Sequence, residues 1–398
     1  MRYNRKNAVA LVGVLWVVLL GTVIITTTAQ SSRLDMRMVA HTAEKIRGKW
    51  ASRAGLELAI AVLNEDEREY DSLEDRWYEH DGDFNEVEVG DCRVDVRVID
   101  ASSRLNINTV SDAQLEQLDY ITPMIIDSIL DWRDPDDTQR NDGAEQGYYA
   151  DLEPGYVIRN GDFRTIREML LVRGMENKYL FSEEAGWASL LTCFSRDKNR
   201  TSDDDQRLNI NNANQQELAE KLNIDKSYAK WIVEKKPQGG YKTIADLIDK
   251  NTPDKPAQKS GKSDEAKQID MQTFREIADK ITVTDDQWVK GRLNVNTASH
   301  EVLRIFFEDD TDLADNFVDA RHQKAVPMIS IADALDIPGM SIDKFKKYAG
   351  MLTTRSDIYI VNCTAKTVGL GLKFSTEAVI DRSGTEPRII SMYYGMKN

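Results

Sequence analysis

An uncharged apolar run opens the chain and continues without a break into an amphipathic helix pattern. Residues 8–30 are rich in Val, Leu and Ile, and roughly twenty such residues cross a bilayer as a helix. Beyond them, with no Gly-Pro break, apolar side chains recur at helical spacings among Arg and Glu: Leu34, Met38, Ile46, Trp50, Leu58 and Val62. The pattern predicts one rod from Ala8 to Asn64, with residues 8–30 in lipid and residues 31–66 outside it.

The short basic leader, residues 1–7, predicts how this rod is oriented. Arg2, Arg5 and Lys6 precede the apolar run, and basic residues stay on the cytoplasmic side of a membrane. A cleaved secretory signal is the alternative, but its apolar core is shorter and ends before a loop. We therefore predict a single-pass protein of a bacterial inner membrane, with the amino terminus cytoplasmic and the bulk periplasmic.

Period-two alternation predicts strands at two distant places. Residues 83–103 contain the first, with Val87, Val89, Val94, Val96 and Val98 between polar residues. Residues 354–398 contain the others, and because no amphipathic helix separates them, we expect an antiparallel meander. Both groups should form one sheet on the outer half of the rod.

Between these strands, one helical unit occurs three times. Its opening motif is Arg-Leu-Asn-Ile/Val-Asn, at residues 104–108, 207–211 and 292–296. Each motif precedes an apolar-periodic helix start, so the repetition indicates copies of one structural unit. The predicted helical domain covers residues 104–353, with units at about 104–190, 207–250 and 292–353.

A second element recurs downstream of each opening motif. Thr165, Thr243 and Ser330 are each followed three residues later by Glu or Asp, the spacing of a capping box at a helix start. Copies one and three then reach a glycine suited to a tight hairpin, Gly174 and Gly339. The middle copy instead enters residues 252–267, a Lys-, Ser-, Asp- and Pro-rich stretch predicted to be an exposed flexible linker.

Composition excludes several functions. The net charge of -15 and the pI near 4.9 argue against a phosphate-backbone partner, because Lys and Arg supply most nucleic-acid affinity. The four His residues match no hydrolase or metal-enzyme spacing, so we predict that the protein is not an enzyme. Cys92, Cys193 and Cys363 match no metal spacing. Buried apolar cysteines are the favoured interpretation, and a disulfide between Cys92 and Cys363 is the alternative.

An acidic loop in the first unit is the candidate metal site. Pro, Asn and Gly separate its carboxylates, which must be kept apart or neutralised. Hard oxygen donors at irregular spacing, without nearby His or Cys, suit calcium better than zinc. A solvated acidic loop is the alternative. The candidate calcium ligands are Asp134, Asp136, Asp137, Asp142 and Glu145.

The order of these features resembles one family over nearly the whole chain. A short basic leader, an apolar run and an unbroken amphipathic helix are typical of type IV pilins and pseudopilins. The sequence from Val9 to Trp16 is similar to the start of the minor pseudopilin K of type II secretion, the subclass with no Glu five residues into the mature chain; Gly13 stands at that place. The family order also recurs in Asp131-Trp132-Arg133-Asp134-Pro135-Asp136-Asp137, Asp142-Gly143-Ala144-Glu145, Tyr148-Tyr149, Asn160-Gly161 and Leu170–Met175.

This resemblance implies a fold and a function. The expected fold is α+β: a long amino-terminal transmembrane and amphipathic helix packed on an antiparallel pilin-like sheet, with a large inserted all-α domain of SAM-like or helix-hairpin-helix-like repeats. It also implies cleavage by a prepilin peptidase between Ala8 and Val9, with Ala8 in place of the usual Gly, and structural calcium in the inserted domain.

The implied function is at the tip of a periplasmic pseudopilus. There the protein would start or cap assembly with minor pseudopilins I and J, and would help that assembly engage a secreted substrate or the outer-membrane secretin. The alternative is a membrane-anchored helix-hairpin-helix DNA-binding protein of a competence system, because the Leu-Asn-x-Asn opening also occurs there. Such a reader offers hairpin amides flanked by basic residues; Arg173 fits this weakly, and the acidic surroundings do not.

Overall fold

The computed structural model describes residues 5–78, 84–182, 186–256, 265–323 and 327–397. Its first element is helix α1, Arg5–Glu65, a single helix of 61 residues. The inner half is exposed along its length, whereas the outer half buries one face that includes Ala51, Leu56, Ala59 and Leu63. The long apolar helix predicted from the sequence is confirmed.

The first strands follow α1. They are β1, Val87–Val89, and β2, Cys92–Asp100. Burial alternates along β2 as the period-two pattern predicts. Gly55 of α1 lies against this strand, and a Cβ there would approach Val94 Cγ1 to 2.7 Å. Glycine at this position therefore lets helix and sheet pack closely.

The inserted domain begins with the first unit. A 3-10 turn at Ala101–Ser103 leads into β3, and another at Ile166–Leu171 follows the acidic loop. The elements of the unit are β3 (Leu105–Asn106), α2 (Asp112–Leu115), α3 (Pro123–Arg133), α4 (Gln146–Ala150), α5 (Asn177–Phe181), α6 (Trp187–Leu190) and β4 (Leu191–Thr192).

The second unit has the same plan with fewer helices. Strand β5, Arg196–Lys198, precedes it, and a 3-10 turn at Ile244–Leu247 follows its second helix. Its elements are β6 (Leu208–Asn209), α7 (Gln215–Leu222), α8 (Lys226–Glu234), α9 (Met271–Ile277) and β7 (Ile281–Thr282). The unit thus extends past the predicted boundary at residue 250, because the linker lies inside it. Residues 257–264 of that linker lie outside the described residues.

The third unit completes the domain. Strand β8, Trp288–Lys290, pairs antiparallel with β5 and joins the units. The unit contains 3-10 turns at Ile331–Asp336 and Ala349–Met351. Its elements are β9 (Leu293–Asn294), α10 (His300–Phe306), α11 (Thr311–Gln323), α12 (Ile342–Tyr348) and β10 (Leu352–Thr353).

The prediction of an all-α inserted domain was wrong in one respect. In every unit the opening Leu-Asn forms a two-residue parallel pair with a closing Leu-Thr or Ile-Thr: β3 with β4, β6 with β7, and β9 with β10. The strands are too short for a period-two pattern to show them. Each pair provides hydrogen bonds for backbone N–H and C=O groups where the opening and closing segments of a unit meet.

The predicted capping boxes occur at 3-10 turns. Thr243 with Asp246 and Ser330 with Asp333 form reciprocal boxes. In the first unit Thr165 makes no such bond, because Glu168 accepts from the backbone N–H of Arg164 instead. The short stretches tighten to 3-10 geometry before the next hairpin.

The carboxyl-terminal strands complete the sheet. They are β11 (Ile358–Thr367), β12 (Lys373–Asp381) and β13 (Arg388–Lys397), and the sheet order is β1-β2-β11-β12-β13, antiparallel throughout. The inserted domain leaves this sheet after Asp100 and returns before Ile358, so it is inserted between two neighbouring strands. The predicted antiparallel sheet is confirmed.

The cysteine alternatives are also resolved. Cys92 and Cys363 lie on the adjacent strands β2 and β11, but Cys92 faces Thr367 and Cys363 faces Val96. This register separates the two thiols along the strands, and both are free and buried. The disulfide hypothesis was wrong, and the interpretation as buried apolar cysteines is confirmed.

A buried cluster of charges joins the inserted domain to the sheet; we call Asp66, Asp71, Asp100, Tyr359 and Arg382 the junction cluster. The guanidinium of Arg382 bonds to Asp71 and, at 2.5 Å, to Asp66. Asp71 also accepts from the hydroxyl of Tyr359, and Asp100 accepts from Asn294 Nδ2 of the third unit at 2.9 Å. The bond between Asn294 and Asp100 joins the inserted domain to the sheet, and the other bonds join the segment after α1 to the sheet.

Candidate metal centre

Aromatic packing fixes the two ends of the acidic loop. Trp132, in the last turn of α3, is buried and stacks on Phe163 with ring centroids 5.9 Å apart. Tyr149 of α4 meets the same indole edge-on at 5.3 Å. Trp132, Tyr149 and Phe163 therefore hold the start, middle and end of the loop against the first unit. Pro135 and several polar residues keep the loop irregular between these points.

Buried oxygens without hydrogen-bond donors lie in this loop. Within the described residues, Asp134 Oδ1, Asn160 Oδ1 and both carboxylate oxygens of Glu145 are buried and have no hydrogen-bond partner. An unpaired buried polar atom costs about 1–3 kcal/mol, and a charged one costs more. Unpaired oxygens on three residues of one loop indicate a site that a cation would satisfy.

Electrostatics point to the same place. Burial first, and then the charges of Asp131, Asp134 and Asp137, raise the pKa of Glu145 to about 7. A carboxyl that keeps its proton near neutral pH is one whose negative charge lacks a nearby positive partner. A divalent cation would supply that charge and displace the proton.

Arg140 is the cation that this loop already contains. Its Nη1 contacts Asp131 Oδ1 at 2.8 Å and Asp134 Oδ2 at 2.6 Å. Asp131 is fully buried and also accepts from the backbone N–H of Arg140. Gly143 is required beside it, because a Cβ there would lie 2.0 Å from Asp131 Oδ2. One guanidinium thus neutralises Asp131 and one oxygen of Asp134, and Glu145 remains unpaired.

The other candidate ligands have local partners. Asp136 Oδ1 accepts from the N–H of Thr138 at 2.8 Å, and Asp137 Oδ1 accepts from Asn160 Nδ2 at 2.8 Å. Asp142 is exposed; its backbone N–H donates to Asp127 Oδ2, and its carboxylate bonds to no described residue. Among the described residues, no three of the predicted carboxylate ligands have oxygens within 4.8 Å of one another. The structure joins Asp137 to Asn160 and leaves Asp142 apart.

Sequence reasoning missed Asn160 and Asp131. Asn160 lies far along the chain from the acidic run, and its left-handed backbone (φ 43°) turns it back to the loop. Asn160-Gly161 was one of the motifs that carry the family resemblance, but the sequence did not indicate that Asn160 could be a metal ligand. Asp131 ends an apolar helix, where a carboxylate suggests a surface position and not the buried partner of Arg140.

A second group of carboxylates is explained without a metal. In the described part of the chain, Asp66, Asp71 and Asp75 are the three whose oxygens lie within 4.8 Å of one another. Arg382 bonds to the first two, and Asp75 accepts from Ser72 and from Trp77 Nε1. Protein donors thus satisfy these oxygens, but one guanidinium offsets only part of the charge: burial raises the pKa of Asp66 to about 6 and also raises that of Asp75.

The acidic loop fits a hard cation. Its donors are carboxylate and amide oxygens without nitrogen or sulfur, the set that Ca²⁺ takes in flexible six- to eight-fold coordination. Asp134, Asn160 and Glu145 offer unpaired buried oxygens, and Asp136 and Asp137 lie close enough to raise the pKa of Glu145. A cation here would join the two ends of the loop.

Known proteins match this chain in the same region and beyond it. The family model described as "Type II secretion system (T2SS), protein K" matches residues 110–181, which include the acidic loop. Type II secretion system protein K of Pseudomonas aeruginosa is 28% identical over 268 residues, 61% of this chain and 76% of that protein. The protein of the same name from Aeromonas hydrophila is 24% identical over 62% of this chain and 80% of its own length.

A solved structure agrees in fold. It is the crystal structure of the GspK-GspI-GspJ complex from the type 2 secretion system of enterotoxigenic Escherichia coli. The matched chain is covered to 99% and this chain to 90%, with a TM-score of 0.54 and 13% sequence identity. The chain is similar to type II secretion system protein K in sequence and in fold. These likenesses support a minor pseudopilin of type II secretion.

Helix α1 is the candidate membrane anchor. In the described residues it is the helix long and apolar enough to cross a membrane, with a mean hydropathy of 2.4 in its most apolar window. This is consistent with a single-pass inner-membrane anchor. The backbone continues as helix through Ala8 and Val9. At Gly13 an added Cβ would meet nothing within 4 Å, so the absence of a side chain there is not forced by packing within the chain.

The hairpin that could have suggested DNA binding uses its basic residue internally. Arg173 Nη1 donates to the carbonyl of Gly143 at 2.9 Å, and its guanidinium lies 4.9 Å from the ring centre of Tyr148. Gly174 packs on α3, where a Cβ would lie 2.6 Å from Met124 Cε. The hairpin is thus a packing element of the unit that contains the acidic loop.

Proposed function

We propose that this protein forms the tip of the type II secretion pseudopilus, where it starts or caps assembly with minor pseudopilins I and J. One observation is central: the inserted domain covers the end of the pilin-like body that is farthest from the membrane anchor. A subunit with that end covered cannot accept another subunit above it.

The contacts of α1 with the sheet indicate which end of the sheet lies farther from the membrane anchor. Glu44, nearer the anchor, accepts from the N–H of Leu370 in the β11–β12 turn. Asp66, just past the end of α1, bonds to Arg382 at the opposite end of β12. Asp100 and Ile358, where the inserted domain joins the sheet, lie at that second, membrane-distal end.

The junction cluster makes the covering rigid. Asp71 and Asp100 are buried and accept hydrogen bonds from Ser356 and Asn294 of the inserted domain. Buried charged hydrogen bonds are strong and directional. The inserted domain would therefore keep one position on the body and not swing away to admit a further subunit.

Gly13 supports the same assignment. Other pseudopilins, as the family resemblance implies, have a Glu here that pairs with the amino terminus of a neighbour. A subunit at the tip has no such neighbour above it, and an unpaired carboxylate in the bilayer would cost about 2.5–3.5 kcal/mol. We infer that the leader is cleaved between Ala8 and Val9 and that the bulk of the chain is periplasmic.

The partners are proposed from the solved neighbour. That structure is a complex of GspK with GspI and GspJ, and we infer that this chain binds the corresponding minor pseudopilins. A tip at the membrane-distal end of the pseudopilus would meet the secreted substrate or the outer-membrane secretin first.

We further propose that the acidic loop binds structural calcium. Asp134, Glu145 and Asn160 would provide the buried ligands, and Asp136 and Asp137 would complete the set. The exposed carboxylate of Asp142 would reach the ion only if its turn moved. The ion would hold the loop as a fixed surface of the first unit. The unpaired buried oxygens support this proposal.

The three inserted units are proposed to be SAM-like, helix-hairpin-helix-like packing modules. The internal use of Arg173 supports packing over nucleic-acid contact. Labelled duplex DNA at physiological salt should therefore leave fluorescence anisotropy unchanged, and saturable binding would favour the competence-type function.

Assembly tests the main proposal. The full chain, purified in detergent with minor pseudopilins I and J of the same system, should give one discrete complex by multi-angle light scattering. A chain lacking residues 105–353 is a poor control, because it exposes the junction cluster. The better control adds a major pseudopilin to the complex of this chain with I and J. The major pseudopilin should not displace I or J from that complex. A chain that stays monomeric with I and J would contradict the proposal.

A further inference from the structure

A cavity of about 550 Å³ lies between the segment that follows α1 and the third unit. Its lining includes the ionisable residues Glu74, His300, Arg321 and His322, and Ser72, Tyr78 and Ser299 add polar groups. Much of the remaining wall is apolar: Leu73 from the segment after α1, and Ala298, Val318, Ala320, Pro327 and Met328 from the third unit. Its volume is in the range that takes a small organic ligand.

Arg321 lines this cavity and is incompletely bonded. Its Nη1 donates to the carbonyl of Ala298 at 2.6 Å. Its Nε and Nη2 are buried and have no hydrogen-bond partner in the described residues. Burial lowers the pKa of Arg321 to about 10, so the guanidinium is still charged at neutral pH. A buried cation with free donors is a costly arrangement unless an anion satisfies it.

In the first unit, a side chain fills the space that corresponds to this cavity. Arg133 follows its opening motif at the same spacing as Arg321. It uses both Nη1 and Nη2, donating to the carbonyls of Ile107 and Val110 at 2.6 and 2.7 Å. The residue before it is Trp132, whereas Ala320 precedes Arg321. The indole that fills the first unit is therefore replaced by a methyl group in the third.

The connection after these arginines differs as well. In the first unit the long acidic loop intervenes between Arg133 and Phe163, whose amide N–H is bonded to Asn108. In the third, a short connection leads from Arg321 to Met328, which occupies the same position beside Asn296. The third unit thus lacks both the indole and the loop, and the cavity lies beside its buried arginine.

We propose that this cavity binds a carboxylate that belongs to an apolar body. The planar guanidinium of Arg321 offers Nε–H and Nη2–H in the fork that matches the two oxygens of a carboxylate. The apolar walls would cover the rest of the ligand. The hydroxyl of Ser299, which accepts from the N–H of Val302, would donate a further hydrogen bond at the polar side.

Two sources could present this chemistry. One is a free small acid, and the other is the carboxyl terminus of a polypeptide that ends in an apolar residue. Both need the same contacts with Arg321, and amidation of the carboxyl removes the charge from either. The probes below distinguish the two sources.

The experiment is saturation-transfer NMR on the full chain in detergent. The probes are 3-phenylpropionate, a tripeptide ending in Phe, the amide of each, and inorganic phosphate. One or both acids should bind, and the corresponding amide should bind at least about tenfold more weakly, since a hydrogen bond to a charged group contributes about 1.5–3 kcal/mol. Preference for the tripeptide would assign a polypeptide terminus, and preference for 3-phenylpropionate a free acid.

Two variants locate the binding. Arg321→Gln should abolish discrimination between acid and amide. Ala320→Trp places the side chain of the first unit in the cavity while Arg321 and its bond to Ala298 remain, so it should abolish binding even if Arg321→Gln does not fold. The proposal is overturned if neither acid binds, if acids and amides bind equally, if phosphate binds and the acids do not, or if Ala320→Trp leaves acid binding unchanged.

Discussion

Glu145 has the largest expected response to pH in the candidate metal centre. Its pKa is raised to about 7 in the folded protein from an ordinary value near 4.5 when unfolded. Without metal, the protonated carboxyl of Glu145 therefore makes its full contribution to the free energy of unfolding below about pH 4.5. This contribution is lost as the pH rises through about 7. Calcium reverses this loss, because the ion binds the ionised carboxylate.

Calcium affinity should consequently depend on pH. Isothermal titration of the full chain should show affinity falling by up to about tenfold per pH unit below pH 7, with proton release on binding. In Glu145→Gln the release should vanish and the affinity should drop. An affinity that is the same at pH 5.5 and pH 8 would contradict the role of Glu145.

Asn160 tests the ligand set that sequence reasoning did not find. Asn160→Ala removes a buried unpaired oxygen and the bond to Asp137, so calcium should raise the melting temperature less than in the unchanged protein, and a chelator should lower it less. Asp151→Asn, an exposed change beside α4, is the matched control. Equal calcium responses in Asn160→Ala and Asp151→Asn would remove Asn160 from the site.

The sequence indicated the loop and its oxygen chemistry but not which atoms would be left unpaired. Asp134, Glu145 and their neighbours were visible as a charge run. Asn160 and the partnership of Arg140 with Asp131 depend on how the loop folds back on α3. Such contacts depend on three-dimensional packing, and no spacing rule in one sequence reports them.

At the scale of elements, each inserted unit is held by the second Asn of its opening motif. Asn108, Asn211 and Asn296 each accept from and donate to the backbone of one residue, respectively Phe163, Tyr241 and Met328. The amide side chain thereby replaces a short strand between the unit's opening and its capping turn. This explains why the motif has Asn at that position in all three copies.

The loss of stability on substitution of these Asn residues should increase with their burial. Asn296 is buried and Asn211 is half-buried. Asn296→Ala should cost about 2–3 kcal/mol and Asn211→Ala about 1 kcal/mol, because an unsatisfied buried carbonyl is costlier away from water. Hydrogen exchange at the amide N–H of Met328 and Tyr241 measures each local opening. Equal exchange in the two variants would contradict this order.

Element prediction succeeded where a pattern was long and failed where it was short. The 61-residue helix and the strands β2 and β11 followed from sustained periodicity. The closing pairs such as β9 with β10 are two residues each, and the capping-box spacing did not distinguish a 3-10 turn from an α-helix. The linker hid the end of the middle unit, because its closing strand β7 follows the linker.

For the whole molecule, the junction cluster should decide whether the inserted domain stays fixed on the body. Arg382→Met leaves the buried carboxylate of Asp71 without a positive partner, although Tyr359 and Ser356 still donate to it, and should cost about 3–5 kcal/mol. Arg388→Met is the matched control, because Arg388 is exposed and its buried partner Asp381 keeps its ion pair with Arg196. This change should cost less than about 1 kcal/mol.

Hydrogen exchange reports this difference locally. The amide of Asp71 bonds to the carbonyl of Thr354, and that of Ser356 to Asp71 Oδ2. Both should exchange much faster in Arg382→Met and at the normal rate in Arg388→Met. Unchanged protection in Arg382→Met would mean that apolar packing alone fixes the domain. No periodicity in the sequence pointed to this cluster, whose members lie more than three hundred residues apart in the chain.

The central claim is that the inserted domain makes this protein a tip subunit, and its position in a pseudopilus tests that claim most directly. Pseudopili assembled in cells can be imaged by electron microscopy with gold-labelled antibody against the inserted domain. We predict label at a single end of each filament, together with minor pseudopilins I and J. Label distributed along the shaft would contradict the account.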